Sequence, residues 1–481
     1  MSLHIRSASR QEEPLHFWKG IGRQPGTMRL LSEFSMSNSC LIVNATAVNE
    51  GGVFETDLLV RGPRIEKIGS DLSGESANQV LDASGLHLLP GMIDGQVHFR
   101  DPGQPEKGTF QSESRAAVAG GTTTVMDMPN NQPPVVTLER LDEKLARADG
   151  AMHANYAFYF GATNDNADEV RRLDPVKACG LKIFMGASTG NMLVDDPEAL
   201  ERHFADCSIL IATHCEDTPM IEAALAEHVR QYGEQIPMHC HAQIRSREAC
   251  LASSSMAVGL ARKFGSRLHV LHLTTADELP LFDVGPIEGK RITAEACVHH
   301  LLFTDADYAQ HGGRIKCNPS IKTEADRDAL RQAVHEDRID VIATDHAPHL
   351  LSEKEGPYRE VAAGLPITQH ALPMLLELAY QGVFSLPQVV QKAAHAPAQC
   401  YAVRDRGFLR EGYFADLALA DLSVAKQVDP EEVLHQCGWS AFEGQMLHAR
   451  IDTTMVSGRI AYRDGQPMPP AAGMRLDFDR G

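Results

Sequence analysis

The chain has 481 residues, of which 43% are hydrophobic and 23% are charged, and this composition excludes a disordered or fibrous protein. Its 45 basic and 64 acidic side chains give a formal net charge of −19, which argues against nucleic acid and anionic membrane surfaces as partners. The ten cysteines have no paired spacing, and the N-terminus lacks the apolar core of a secretory signal. We therefore expect a cytoplasmic protein with reduced thiols.

Three parts of the chain differ in their residue patterns. Residues 1–37 are polar and interrupted by Gly and Pro, and we expect them to form a disordered extension or to belong partly to a tag. Short apolar runs separated by turn residues occupy 38–90 and return in 410–481, which predicts a small β-sandwich domain built from both segments. Residues 91–409 lie between them and form a separate predicted domain.

The middle segment contains eight strand-like runs, and helical periodicity fills most of the gaps between them. Alternating buried strands and helices predict a parallel sheet, and eight such units predict an α/β fold with a closed (β/α)8 TIM barrel. The alternative is an open doubly wound sheet. The runs in chain order are LLPGMIDGQVHF, TTTVMDMPN, ANYAFYFGATN, GLKIFMGAS, SILIATHCED, RLHVLHLTT, ITAEACVHHLLF and VIATDHAPH.

Polar or ionisable side chains end most of these runs. In a barrel the carboxyl ends of all strands meet at one mouth, where active sites lie, whereas an open sheet would spread them along an edge. These residues therefore favour the barrel. They are His98, Asn130, Lys182, His214, His272, His299 and Asp345.

Four of these strand ends carry nitrogen or oxygen donors of the type that bind zinc. A single histidine is more often a hydrogen-bonded core residue than a metal ligand. Four donors on four independent strands nevertheless predict a metal site. They are His98, His214, His272 and Asp345.

Lys182 lies inside an apolar run, where a charged ammonium is costly unless it is paired or chemically altered. One interpretation is an ion pair with an acidic side chain of the barrel. In the other, burial lowers the pKa of the amine, which adds carbon dioxide and becomes a carbamate that bridges two metal ions. Both interpretations stay open at this point.

A set of longer motifs extends these runs: PGMIDGQVHFRDPG, GGTTTVMDMPN, LKIFMGAS, THCED, LHVLHLTT, KCNPS, ATDHAPH and CGWSAFEG. In this order, over about residues 40–465, they resemble dihydroorotase of class I, in the amidohydrolase superfamily. The resemblance implies a metal-dependent cyclic amidase of pyrimidine biosynthesis that interconverts N-carbamoyl-L-aspartate and dihydroorotate. It also implies a zinc cofactor of one or two ions, and we expect a homodimer or homotetramer.

The resemblance assigns roles to single positions. Lys182 matches a lysine that is carbamylated in many members, and Asp345 matches an aspartate that also handles the proton in catalysis. The implied metal ligands are His98, Lys182, His214, His272 and Asp345. The residues implied to hold the carboxylate and ring of the substrate are Arg100, Asn130, Asn318 and His349.

Arg100 separates the candidate substrates. A guanidinium offers a planar fork of donors that suits a carboxylate, and a carboxylate clamp favours dihydroorotate. A dihydropyrimidinase, hydantoinase or allantoinase would share the metal ligands without needing this clamp, and these enzymes are the first alternative. The alternative role for Arg100 is a structural ion pair with Asp101 or Asp127.

Gln96 departs from the family pattern, because the first histidine of the HxH motif is replaced in Gln96-Val97-His98. Glutamine is a weaker ligand than imidazole, so we expect the buried metal to bind weakly or its position to stay empty. Gln96 also raises a second alternative, a catalytically silent dihydroorotase-like scaffold for aspartate transcarbamoylase. The remaining ligands, all present, argue against that scaffold. The segment GLPITQHALP at 364–373 also departs from the family's substrate loop, so we assign no backbone contacts there.

Overall fold

The computed structural model describes residues 39–186 and 192–480, so the expectation for residues 1–37 lies outside the described part. Its strands are β1 (Ser39–Asn49), β2 (Gly52–Arg61), β3 (Arg64–Gly69), β4 (Gln79–Asp82), β5 (His87–Pro90), β6 (Met92–Val97), β7 (Thr122–Asp127), β8 (Asn155–Phe158), β9 (Phe160–Gly161), β10 (Leu181–Phe184), β11 (Ile211–His214), β12 (Leu268–Val270), β13 (Ile292–Cys297), β14 (Val341–Ala343), β15 (Leu417–Asp421), β16 (Lys426–Gln427), β17 (Met446–Leu447), β18 (Arg450–Val456), β19 (Arg459–Arg463) and β20 (Gln466–Pro467).

Helices fill most of the connections between the middle strands. The α-helices are α1 (Phe110–Ala119), α2 (Leu138–Ala148), α3 (Ala167–Arg171), α4 (Pro197–Asp206), α5 (Thr218–Tyr232), α6 (His241–Ile244), α7 (Arg247–Phe264), α8 (Tyr308–His311), α9 (Glu324–His335), α10 (Ala371–Tyr380), α11 (Leu386–Val390) and α12 (Ala396–Tyr401). Thr323 caps the N-terminus of α9, because its hydroxyl accepts a hydrogen bond from the N–H of Asp326. Within 39–186 and 192–480, no helix combines the length and the apolar character that a membrane span requires.

Strands β6 to β14 form the barrel, and each hydrogen-bonded pair among them is parallel. Tyr159 separates β8 from β9, which together form the third predicted strand. The ring closes between β14 and β6, where Val97 pairs with His346. Strands such as β6 and β7 are buried at every position, as parallel strands covered on both faces should be. The predicted (β/α)8 TIM barrel is confirmed.

Both ends of the chain build a second, antiparallel-rich sheet of nine strands. In this sheet β15 pairs with β5 and β5 pairs with β1, so the C-terminal strands continue the N-terminal ones. The N–H of Ile65 on the outer strand β3 donates to the carbonyl of Tyr413, at 2.8 Å. This contact places β3 beside the segment that precedes β15. The sheet therefore curls around its own apolar core and forms a small sandwich. The domain limits at 90 and 410 stay a prediction.

The last described residues leave this sheet and run along the barrel. The N–H of Tyr156 on β8 donates to the carbonyl of Met474, and the N–H of Leu476 donates back to the carbonyl of Tyr156, both at 2.9 Å. Leu476 and Phe478 are buried against barrel residues. The C-terminal segment therefore contributes to both structural units.

Candidate active site

A cavity of about 100 Å³ lies at the carboxyl ends of the barrel strands. All the predicted site residues except His349 line it, and His349 contacts the cavity residue Arg100. The lining residues are Gln96, His98, Arg100, Asn130, Lys182, Phe184, His214, His272, Asn318, Asp345, Ala347, Ala363 and Gly364. His299 lies instead in a separate buried group with Cys297 and His300.

Three residues of this cavity have strained backbone conformations. Arg100, His272 and Asp345 have φ angles of 64°, 39° and 51°, in the left-handed region that side chains other than glycine rarely adopt. Such conformations persist only where the surrounding contacts determine them. The chain therefore holds these three side chains at directions that an ordinary strand end would not give.

His214 and His272 form a pair at the ends of β11 and β12. Nδ1 of His214 lies 3.0 Å from Nε2 of His272. Burial lowers the pKa of both imidazoles, so both rings are neutral at neutral pH. Nε2 of His214 donates to the carboxylate of Glu216 at 2.8 Å, which leaves the lone pair of Nδ1 directed at His272.

Glu216 is a functional residue that the sequence reasoning missed. Its carboxylate is fully buried and also accepts a hydrogen bond from Arg245. Burial alone would raise its pKa, but the charge of Arg245 and the hydrogen bond from His214 hold the pKa well below its usual value. A carboxylate that fixes the tautomer of a ligating histidine is a common feature of metal sites. The available signal was its position two residues after His214.

Two side chains meet the same oxygen of Asp345. Nε2 of Gln96 donates to Oδ1 at 2.9 Å, and Nε2 of His98 lies 3.1 Å from Oδ1. Burial would raise the pKa of Asp345, but the contact with His98 outweighs it and the pKa is lowered. The carboxylate is therefore charged at neutral pH.

Lys182 lies on β10 and is 1% exposed. Its ammonium stands 4.5 Å from the centre of the Phe184 ring. Burial lowers the pKa of Lys182 to about 8. Among the described residues no carboxylate lies within 4.0 Å of it, so the ion-pair interpretation has no partner in this part of the chain. An amine with this pKa is partly neutral at neutral pH, as carbamate formation requires.

The donor set fits a divalent cation of the zinc type. Two nitrogen ligands of one tetrahedral zinc lie about 3.3 Å apart, because each Zn–N bond is about 2.05 Å, and the His214–His272 separation of 3.0 Å is close to this value. Within the described chain, Oε1 of Gln96 and Nδ1 of His272 are buried without a hydrogen-bond partner. The amide oxygen of Gln96 could serve only as a weak ligand.

Arg100 carries an unpaired positive charge on the cavity wall. Its Nε donates to the carbonyl of Pro348 at 3.1 Å, and Nη2 lies 3.0 Å from Nε2 of His349. Within the described residues it makes no ion pair with a carboxylate. Asp101 pairs instead with Arg147, and Asp127 pairs with Lys144. The structural ion pairs considered for Arg100 therefore have other partners.

The two asparagines line the same cavity, and His349 lies beside Arg100. Burial, together with the charges of Arg100 and Lys107, lowers the pKa of His349 far below its usual value, so the ring is neutral. Oδ1 of Asn130 lies 2.7 Å from Nδ1 of His98, so its oxygen is already engaged. Oδ1 of Asn318 is buried without a partner among the described residues and can accept a hydrogen bond from a bound molecule.

The chain is similar to known proteins over most of its length. The amidohydrolase family model matches residues 87–461. A dihydroorotase of Halobacterium salinarum is 32% identical over 81% of this chain and 89% of its own length. An allantoinase of Bacillus velezensis is 30% identical over 89% of this chain and 95% of its own length.

A solved structure shares the complete architecture. L-hydantoinase from Arthrobacter aurescens superposes with a TM-score of 0.86 at 26% identity, and the match covers 92% of this chain and 100% of that protein. The relatives thus include three differently named enzymes with similar sequence identity to this chain. Because the family model spans most of the described residues, the chain belongs to the amidohydrolase family.

Proposed function

We propose that the protein is a metal-dependent hydrolase of cyclic amides and that its substrate is dihydroorotate, which it forms reversibly from N-carbamoyl-L-aspartate. The family assignment and relatives named dihydroorotase, allantoinase and L-hydantoinase support the general class. The choice among these substrates depends on the chain's own residues. The observation that favours dihydroorotate is the guanidinium of Arg100, which forms no ion pair with a carboxylate among the described residues.

Charge distinguishes dihydroorotate from the other candidate substrates. Dihydroorotate carries a carboxylate that dihydrouracil and allantoin lack. Arg100 is half-buried, a cation that is partly removed from water without a counter-ion is costly, and a bound carboxylate would supply that counter-ion through charge-assisted hydrogen bonds. Lys107 does not compete for this carboxylate, because it already pairs with Glu353 at 2.8 Å. An uncharged ring would leave Arg100 unpaired.

The other residues have separate roles in this proposal. His214, His272 and Lys182 would hold a zinc ion, with Lys182 as a carbamate, and the ion supplies Lewis-acid activation of water and of the amide carbonyl. Asp345, charged and close to His98, takes a proton from the attacking water and returns it to the departing ring nitrogen. The oxygen of Asn318 accepts a hydrogen bond from a ring N–H, and Arg100 orients the carboxylate.

Arg100→Met tests the proposal because it keeps an extended side chain but removes the charge. Losing one partner of a desolvated charge pair costs about 2–5 kcal/mol, so kcat/KM for dihydroorotate should fall at least about 30-fold. For dihydrouracil, if it is turned over, kcat/KM should fall much less. Arg172→Met is the matched control, because Arg172 pairs with Glu169 on the surface.

Each other outcome identifies a different alternative. Equal losses of kcat/KM on both substrates would mean that Arg100 does not bind a substrate carboxylate. This result would favour a hydantoinase or allantoinase, which turnover of hydantoin or allantoin would establish. A wild-type protein that contains metal but turns over none of these rings would favour the scaffold.

A further inference from the structure

The carboxylate of Glu113 on α1 lies behind the catalytic wall, outside the cavity, and is fully buried. Oε1 accepts hydrogen bonds from the hydroxyl of Ser112 and the N–H of Gln436, both at 2.9 Å. Oε2 accepts hydrogen bonds from Nε2 of His346 and Nδ1 of His435, both at 3.0 Å. One side chain thus joins the first barrel helix, the end of β14 and the segment before β17.

Glu113, His346 and His435 have the residue types of a metal site, since their ligand atoms lie within 4.8 Å of one another. The tautomer of His346 argues against this use. Its Nδ1 accepts a hydrogen bond from the N–H of Ile367 at 3.1 Å, so the proton of the neutral ring is on Nε2 and points at Glu113. No lone pair of His346 therefore faces the cluster.

His346 connects this carboxylate to Asp345, its neighbour in the chain. The N–H of His346 donates to the hydroxyl of Thr344 at 2.9 Å, and its carbonyl accepts from the N–H of His98 at 2.7 Å. With the ring fixed at both nitrogens, the backbone of His346 has little freedom to rotate. The adjacent Asp345 has a left-handed φ of 51°, and its Oδ1 lies 3.1 Å from Nε2 of His98.

His435 connects the same carboxylate to the substrate wall. Four residues after it, the indole N–H of Trp439 donates to the carbonyl of His349 at 2.8 Å. His349 lies against Arg100. The segment 435–439 therefore supports the Arg100–His349 pair from outside the cavity, and Glu113 fixes one end of it.

We propose that Glu113 is a positioning residue that sets two parts of the site at once, Asp345 through His346 and the Arg100–His349 pair through His435. The proposal rests on the proposed function only in the roles that it gives Asp345 and Arg100. It predicts that the hydrogen bonds to Glu113, and not the volumes of the two rings, determine activity.

Asparagine and glutamine substitutions separate these two possibilities, because the amide of Asn overlies Nδ1 of His and the amide of Gln overlies Nε2. His346→Gln keeps the donor to Glu113, whereas His346→Asn loses it. At the second position the order reverses, since His435→Asn keeps the donor and His435→Gln loses it. Glu113→Gln replaces one of the two accepting oxygens of the carboxylate with an amide NH2 group.

The readouts are kcat and KM for whichever cyclic amide the wild type turns over, with the melting temperature and metal content of each variant. Misplacement of a catalytic group by about 1 Å lowers the rate about 100-fold. We therefore expect His346→Asn to lower kcat about 10- to 100-fold with little change in KM. We expect His435→Gln to raise KM more than it lowers kcat, and His346→Gln and His435→Asn to recover most of the loss.

The proposal would be overturned if the same amide, Asn or Gln, retained more activity at both positions. It would also be overturned if the losses of activity followed the melting temperature alone. Either result would leave Glu113 with a structural role. Loss of one metal per chain in both His346→Asn and His435→Gln would instead make the cluster a metal site. A failure of the proposed function would be recognised separately, because it would appear in which cyclic amide the wild-type protein turns over.

Discussion

Gln96→His is the substitution that most directly examines how the site holds metal. In the structure Gln96 does not act as a spare ligand, because its amide nitrogen donates to Asp345 at 2.9 Å. A cation held at His98 and Asp345 would have to displace this hydrogen bond. A hydrogen bond to a charged group contributes about 1.5–3 kcal/mol, so the displacement alone weakens binding there about 10- to 150-fold.

We therefore expect wild-type protein purified without chelator to carry closer to one than two tightly bound metal ions per chain. Gln96→His replaces the competing donor with an imidazole ligand and should raise the metal content towards two. Gln96→Asn is the matched control, because the shorter amide loses contact with Asp345 without adding a strong ligand. Inductively coupled plasma mass spectrometry after dialysis gives the metal content, and turnover of dihydroorotate is measured on the same samples.

Two results would refute this reasoning. Two equally tight metal ions in the wild type would mean that Lys182 and Asp345 hold the buried ion despite Gln96. An unchanged metal content in Gln96→His would mean that the hydrogen bond to Asp345 does not limit binding. In the first case, His98→Ala and His214→Ala should lower the metal content equally, whereas we expect a much larger loss from His214→Ala.

Three further predictions concern the supporting residues. Lys182→Arg should abolish turnover and lower the metal content, because a guanidinium stays protonated and cannot form a carbamate; normal turnover would restore the ion-pair interpretation. Glu216→Gln should weaken metal binding about 10- to 100-fold in a chelator titration, because it disturbs the tautomer of His214, and unchanged affinity would contradict this role. Lys144→Met should lower the free energy of unfolding by about 3–5 kcal/mol, since it leaves a buried carboxylate unpaired. The surface variant Lys177→Met should cost less than about 1 kcal/mol in the same denaturation assay.

The barrel strands were predictable because parallel strands buried on both faces produce apolar runs in the sequence. The predicted runs overlap β6 to β14, but the first run, LLPGMIDGQVHF, spans two different sheets. Its residues up to Pro90 belong to β5 of the small domain, and those from Met92 belong to the barrel. Periodicity carries no signal for such a change of sheet, since both parts of the run are buried strands.

The residue types at the cavity were also predictable, because the barrel brings strand ends to one mouth. Their partners were not. Glu113 and His435 are separated by 322 residues, and no local pattern joins them. The engagement of Asn130 with His98 likewise depends on how two neighbouring strands are positioned. Sequence reasoning therefore found the groups that face the cavity and missed the carboxylates that orient them.

The nine-stranded sheet combines N-terminal and C-terminal segments, and this affects how the protein folds during synthesis on the ribosome. Strand β5 is synthesised roughly 330 residues before its partner β15, a delay of about 15–65 s at ordinary rates of translation. During that time the nascent β1–β5 segment can form hairpins but exposes the apolar face that Leu417 and Met455 later cover. The whole barrel emerges in the interval, so strands β1–β5 are made before the barrel but are among the last described elements to complete their core.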